Sequence, residues 1–108
     1  MMKPALFGLM LLAAGTAQAQ RISKVDGNRL LTICTTTSPA ECDAYLAGVA
    51  DAIEAGGRAK AAACIPKAVT GVQLRDVVIK YIRSNPQTRE LKGGLLTFRA
   101  YAAAFPCH

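Results

Sequence analysis

The chain closes with Ala-Phe-Pro-Cys-His, which sets Cys107 beside His108, the only histidine. Sulfur next to imidazole admits three chemistries: a zinc pair, a thiolate nucleophile with its base, or one end of a structural crosslink. Zinc sites usually show Cys-x-x-Cys or similarly paired ligands, and Cys34, Cys42, Cys64 and Cys107 contain no such pair. Thiolate catalysis needs an imidazole held firmly by a third group, whereas His108 is the last residue. The same position argues against a Ser-His-Asp arrangement. The crosslink is the reading that fits.

One acid invites the same question. In Tyr45-Leu-Ala-Gly-Val-Ala-Asp51, a helix would set Asp51 near Ala47 and Gly48, with Tyr45 on a similar side. A solvated face is the ordinary place for a lone aspartate. Its one acidic neighbour at helical spacing is Glu54, so no separate general acid and base pair is formed. The sequence has no phosphate-binding glycine loop and no haem motif. No catalytic residue, cofactor or metal ligand is expected.

The residues before the domain explain why crosslinks would form. Positions 1–19 begin with a charge at Lys3, continue as an apolar run from Ala5 to Ala14, and finish with Ala17-Gln18-Ala19. That order is a cleavable secretory signal, and the run is too short to span a bilayer. The mature chain, residues 20–108, is expected in the periplasm, an oxidising compartment where four cysteines read as two disulfides. Without Lys3, twelve basic and seven acidic residues remain. They are scattered, and no tryptophan is available for base stacking, which argues against nucleic acid.

The elements that must position the cysteines are helical. Asp26 is placed to cap a first helix that carries Leu30, Leu31, Ile33 and Cys34. Ser38-Pro39 breaks the chain before a second helix, about Ala40 to Ala55. Leu46, Val49, Ala50 and Ile53 give it a stripe, while Ala44, Ala47 and Gly48 are small enough for close helix packing. Gly56-Gly57 ends it. Thr70 and Gln73 form a capping box for the third helix, with Val69 as a staple on Leu74. Leu74, Val77, Val78, Tyr81 and Ile82 make its inner face, and Arg75, Asp76, Lys80 and Arg83 its outer one. Asn85-Pro86 stops it. A fourth helix, roughly Leu91 to Ala104, is expected to bury Leu91, Leu95, Phe98, Ala102 and Phe105. Gly93-Gly94 costs about 1 kcal/mol per glycine there. The fold class is all-α, a small four-helix up-and-down bundle.

Helix order selects the disulfides. Cys34 ends the first helix and Cys42 begins the second, so both sit at one pole. The second helix carries the chain about 24 Å away, at roughly 1.5 Å per residue, and the next two go down and back. Cys64 and Cys107 therefore meet at the other pole. The expected pairs are Cys34–Cys42 and Cys64–Cys107. Closing the two loops stabilises by about 2.6 and about 4 kcal/mol respectively.

The ordered blocks Gly-Asn-Arg-Leu-Leu-Thr-Ile-Cys (27–34), Cys-Asp-Ala-Tyr-Leu-Ala-Gly-Val-Ala-Asp-Ala-Ile (42–53), Cys64 through Pro86, and Ala-Phe-Pro-Cys (104–107) carry a resemblance. The chain resembles the Rap/Tai immunity proteins, small periplasmic helical proteins that neutralise cell-wall amidase toxins delivered by type VI secretion. Family members tend to have glycine at the positions of Ala44 and Ala68. The resemblance implies inhibition by occlusion, with a cognate amidase effector as partner and no catalysis. Family members often dimerise, so a homodimer is a further expected partner. They present surface near the third helix and the loop after it, which here makes Asn85, Gln87 and Arg89 the contact candidates. Two other roles fit the same scaffold: a periplasmic stress chaperone of the acid-activated HdeA type, and an envelope-binding family member without a toxin.

Overall fold

The computed structural model describes residues 24–108; the signal segment and the start at Gln20 lie outside the described residues. The described chain is helical throughout, with no strand beyond an isolated bridge between Asp26 and Lys92. Its helices are α1 (Gly27–Cys34), α2 (Ala40–Ala55), α3 (Arg58–Ala62), α4 (Gly71–Ser84) and α5 (Gly93–Ala104), with a 3-10 turn at Pro86–Thr88. No helix among them is long and apolar enough to cross a membrane.

Local signals set most helix starts. The Asp26 carboxylate accepts from the Arg29 N–H at 2.8 Å, satisfying a donor that the first turn leaves without a helical partner. At α4 the Thr70 hydroxyl accepts from the Gln73 N–H, and the Gln73 side chain accepts from the Thr70 N–H. Pro39 caps α2 without a side-chain hydrogen bond, and Glu41 and Asp43 in its first turn complement the helix dipole. After α2 the chain turns through Gly56 and Gly57 at φ 149° and 77°, a region that side chains rarely enter. The turn at Lys67-Ala68 needs no such freedom, since no residue other than glycine has positive φ among the described ones. Alanine serves there.

The core gathers Leu30, Ile33, Leu46, Ile53, Val78 and Ile82 around Tyr101, which is fully buried. α2 packs on α1, α4 and α5, and α4 lies against α5. Arg75, expected on an outer face, reaches across from α4 to α2. Its Nε and Nη2 donate to the Asp43 carboxylate, each at 3.1 Å.

Disulfides join Cys34 to Cys42 and Cys64 to Cys107, and no cysteine is free. The Cys64 N–H also donates to the Phe105 carbonyl at 2.8 Å. The segment after α5 is thus held by a covalent bond and a backbone bond together.

Three expectations need correction. The first concerns α5, which starts at Gly93 rather than Leu91 and is turned from the expected face. Phe98, Ala102 and Phe105 pack half-buried against the core as expected, but Leu96, Thr97, Ala100 and Tyr101 are the buried residues, while Leu91 and Leu95 stay 37% and 41% exposed. α5 is apolar on more than one side, so periodicity alone does not choose. A polar bond helps to decide it: the buried Tyr101 hydroxyl donates to the Leu46 carbonyl at 2.8 Å. Thr97 solves its burial locally, donating to the Gly93 carbonyl at 2.8 Å.

The second correction concerns the close contacts. Ala44, Ala47 and Gly48 are exposed, and a Cβ on Gly48 would meet nothing within 4 Å. The tight approaches are at Gly27 and Gly93 instead. A Cβ on Gly27 would lie 2.5 Å from Leu96 Cδ1 and 2.8 Å from the Arg89 carbonyl oxygen. On Gly93 it would lie 2.9 Å from the Tyr45 hydroxyl and 3.1 Å from the Val25 carbonyl. The Tyr45 hydroxyl thus sits against the backbone of Gly93 and Gly94, at the start of a helix whose cap residue, Lys92, makes no side-chain bond.

Gly27→Ala should therefore lower stability by about 1–3 kcal/mol through overpacking. Gly48→Ala should raise it by about 0.8–1 kcal/mol, the propensity gain of an unobstructed helix site. Urea unfolding of both variants checks this; equal shifts of the same sign would refute the assigned contacts.

The third correction is α3, a short helix after Gly56-Gly57 that the four-helix reading lacks. Five residues, Arg58–Ala62, are too few for a hydrophobic period to show.

Burial pushes the Tyr101 phenol well above the usual tyrosine value. A raised folded-state pKa stabilises below the unfolded value near 10 and is lost as pH climbs beyond it. Stability should fall from pH 9.5 upward, and Tyr101→Phe should flatten that fall. At neutral pH the same variant should cost about 0.5–1.5 kcal/mol for the lost hydrogen bond. Denaturant midpoints between pH 7 and 11.5 test both statements.

Candidate partner-binding surface

The chemistry admitted by the C-terminus does not survive folding. Cys107 is bonded to Cys64, so its sulfur is neither a thiolate nor a metal-ligating thiol. The bonded sulfur lies 3.7 Å from the Lys60 carbonyl, a packing contact, because it has no proton to donate. His108 is exposed. Asp51 is exposed too, and the Tyr45 hydroxyl lies against Gly93 and Gly94 at the start of α5. Among the described residues no three His, Cys, Asp or Glu side chains are grouped to hold a metal ion.

The loop between α4 and α5 holds all three contact candidates, and it is tied at both ends. Asn85 closes α4: its side-chain amide donates to the Tyr81 carbonyl at 2.8 Å, and its backbone N–H donates to Ile82 at 3.3 Å. Its own carbonyl accepts from the Thr88 hydroxyl at 2.9 Å and the Thr88 N–H at 3.0 Å. Arg89 Nε donates back to the Ile82 carbonyl at 3.4 Å. Asn85 and Arg89 are half-buried and serve the loop's shape, whereas Gln87 is exposed at its 3-10 turn.

The second anchor comes from α1. Its first N–H groups need acceptors, and the loop supplies them. Gly27 N–H donates to the Leu91 carbonyl at 3.0 Å, and Asn28 N–H to the Arg89 carbonyl at 3.1 Å. Gly93 N–H donates in return to the Val25 carbonyl at 2.8 Å. Lacking a side chain, Gly27 lets the Arg89 backbone approach this closely. Sequence reasoning missed these anchors because they are bonds between backbones. Gly27 and Gly93 were the available signal.

Beside the loop lies a cleft of about 330 Å³ between α4 and α5, lined by Val77, Tyr81, Asn85, Ala100, Ala103 and Ala104. Exposed Leu91 and Leu95 flank the loop on the α5 side. Arg83, Lys92 and Glu90 are exposed around it. The result is a braced loop with apolar side chains at its edge and a basic balance around it, an arrangement suited to binding a surface.

A profile of the Rap1a immunity proteins matches residues 26–107, from the cap of α1 to the last cysteine of the second disulfide. No curated protein and no solved structure matches the chain. The match spans five helices and both disulfides, and on that extent the chain belongs to the Rap1a immunity protein family.

Proposed function

We propose that this immunity protein acts in the periplasm, where it binds a peptidoglycan amidase toxin delivered by type VI secretion and blocks its cleft. The family match over residues 26–107 carries the reading. The shape of the protein supports it. A hydrolase that cuts peptide stems needs an open cleft, and a rigid body seated there stops it without chemistry.

Such a blocker gains by being ordered before it binds, because ordering on contact subtracts from affinity. Two disulfides and the backbone bonds of α1 to the 89–91 segment give that order. Gln87 is assigned to the contact, with Asn85 and Arg89 at its border. Homodimer formation belongs to the same reading, and light scattering of the purified protein decides it.

The test is rescue. Cells that direct a cell-wall amidase toxin to their own periplasm should survive when they also export this chain. They should lyse when residues 1–19 are deleted and the chain stays in the cytoplasm. Lysis in the presence of the exported protein, against every amidase of the host and its close relatives, refutes the proposal.

A further inference from the structure

A second concavity, of about 500 Å³, lies beside the Cys64–Cys107 bond. One run of the chain, residues 50–74, folds back on itself to build it: the end of α2, α3 with the strip after it, and the lead into α4. Ile53, Ala63, Ile65, Val69 and Leu74 line it with apolar surface. Asp51 and Glu54 stand on the α2 side, while Lys60 and Lys67 come from α3 and the turn before α4. All four charged residues are exposed, and none belongs to an ion pair; the pair formed among the described residues is Arg75 with Asp43.

We infer that this groove docks a short segment of the toxin that carries an aliphatic side chain between a cationic and an anionic one. The toxin as source rests on the proposed function; the chemistry of the segment rests on the groove. Opposite charges on separate segments select a bipolar occupant. A purely acidic segment would meet Asp51 and Glu54, and a purely basic one Lys60 and Lys67, with like-charge repulsion in each case. The apolar lining favours burying an aliphatic group between them. The volume lies within the usual range of ligand pockets.

The groove is also held in shape. Cys64 is fixed by its disulfide and by its N–H bond to Phe105. The Cys107 sulfur rests against the Lys60 carbonyl. This site is distinct from the 85–92 loop: Leu74, in the groove, belongs to the first turn of α4, and Ser84, beside the loop, to its last. At about 1.5 Å per residue they stand roughly 15 Å apart along the helix.

The experiment has two arms. In the first, the oxidised, nitrogen-15-labelled protein is titrated with the capped peptide Lys-Leu-Val-Glu and followed by NMR. Amide shifts should centre on Ile53, Ala63 and Ile65. The capped peptide Lys-Leu-Val-Lys should bind at least about threefold more weakly, and K60E/K67E, which replaces the charges that repel its second lysine, should reverse the preference. In the second arm, the amidase neutralised in the rescue assay should bind D51K/E54K about tenfold more weakly than wild type. Both substituted side chains are exposed, so an unchanged melting temperature accompanies that loss.

Peptide shifts that are absent, or that fall away from the groove, overturn the site. Unchanged amidase affinity of D51K/E54K overturns the toxin as its occupant. Failure of rescue with the peptide response intact instead refutes the immunity reading, and with it the toxin as source.

Discussion

Replacing Cys64 and Cys107 together by alanine is expected to lower stability by about 4 kcal/mol, against about 2.6 kcal/mol for the Cys34–Cys42 pair. The inequality comes from loop length. The sequence separations are 43 and 8, and the longer crosslink removes more freedom from the unfolded chain. The first loss also reaches further into the fold. Without the bond, the segment after α5 keeps the 2.8 Å Cys64-to-Phe105 backbone bond as its tie. Hydrogen exchange should then quicken first around 103–107 and 60–66. Stabilities that fall equally in the two double variants, or exchange that quickens elsewhere, would contradict this placement.

The second large effect decides which face of α5 is the inner one. Leu96→Ala should cost about 2–5 kcal/mol, as expected for a buried leucine whose neighbours cannot fully collapse. Leu95→Ala should stay within about 0.5 kcal/mol, like most exposed substitutions. The two leucines are adjacent in sequence and chemically identical, so burial alone separates them, at 0% and 41% exposure. Urea unfolding of both variants reads the difference. A larger loss for Leu95→Ala would restore the face that simple periodicity favours.

That rotation of α5 shows where one-dimensional reading stops. Thr70 with Gln73, and Asp26 ahead of α1, were legible because a cap is written within four residues. The pairing of the cysteines was legible because helix lengths and short loops leave few layouts. α5 was legible only in part. Leu91, Leu95, Phe98 and Ala102 make one plausible stripe, and Leu96, Ala100 and Tyr101 make another. The second is buried, Phe98 and Ala102 are half-buried, and Leu91 and Leu95 are left outside. The choice involves a carbonyl on α2 that the Tyr101 hydroxyl reaches. α3 escaped notice because five residues hold too little of a period to register.

The two candidate surfaces were legible in part for a related reason. Asn85, Gln87 and Arg89 stood out through resemblance to a family, yet nothing local announces that Arg89 and Leu91 offer carbonyls to α1. The groove carries no motif at all. Glu54, Lys60 and Lys67 meet there because Gly56-Gly57 and the second disulfide fold three segments together.

The proposed inhibition, by a stiff body that does no chemistry, would leave one measurable trace. Purified oxidised protein should be titrated into a fixed amount of the amidase toxin that the rescue assay identifies, with release of peptide stems from peptidoglycan as the readout. Activity should fall linearly and vanish at a whole-number ratio of the two proteins, with the amidase recovered intact on dissociation. Complete loss at a small fraction of that ratio, or an amidase cleaved or modified afterwards, would mean catalysis in place of occlusion.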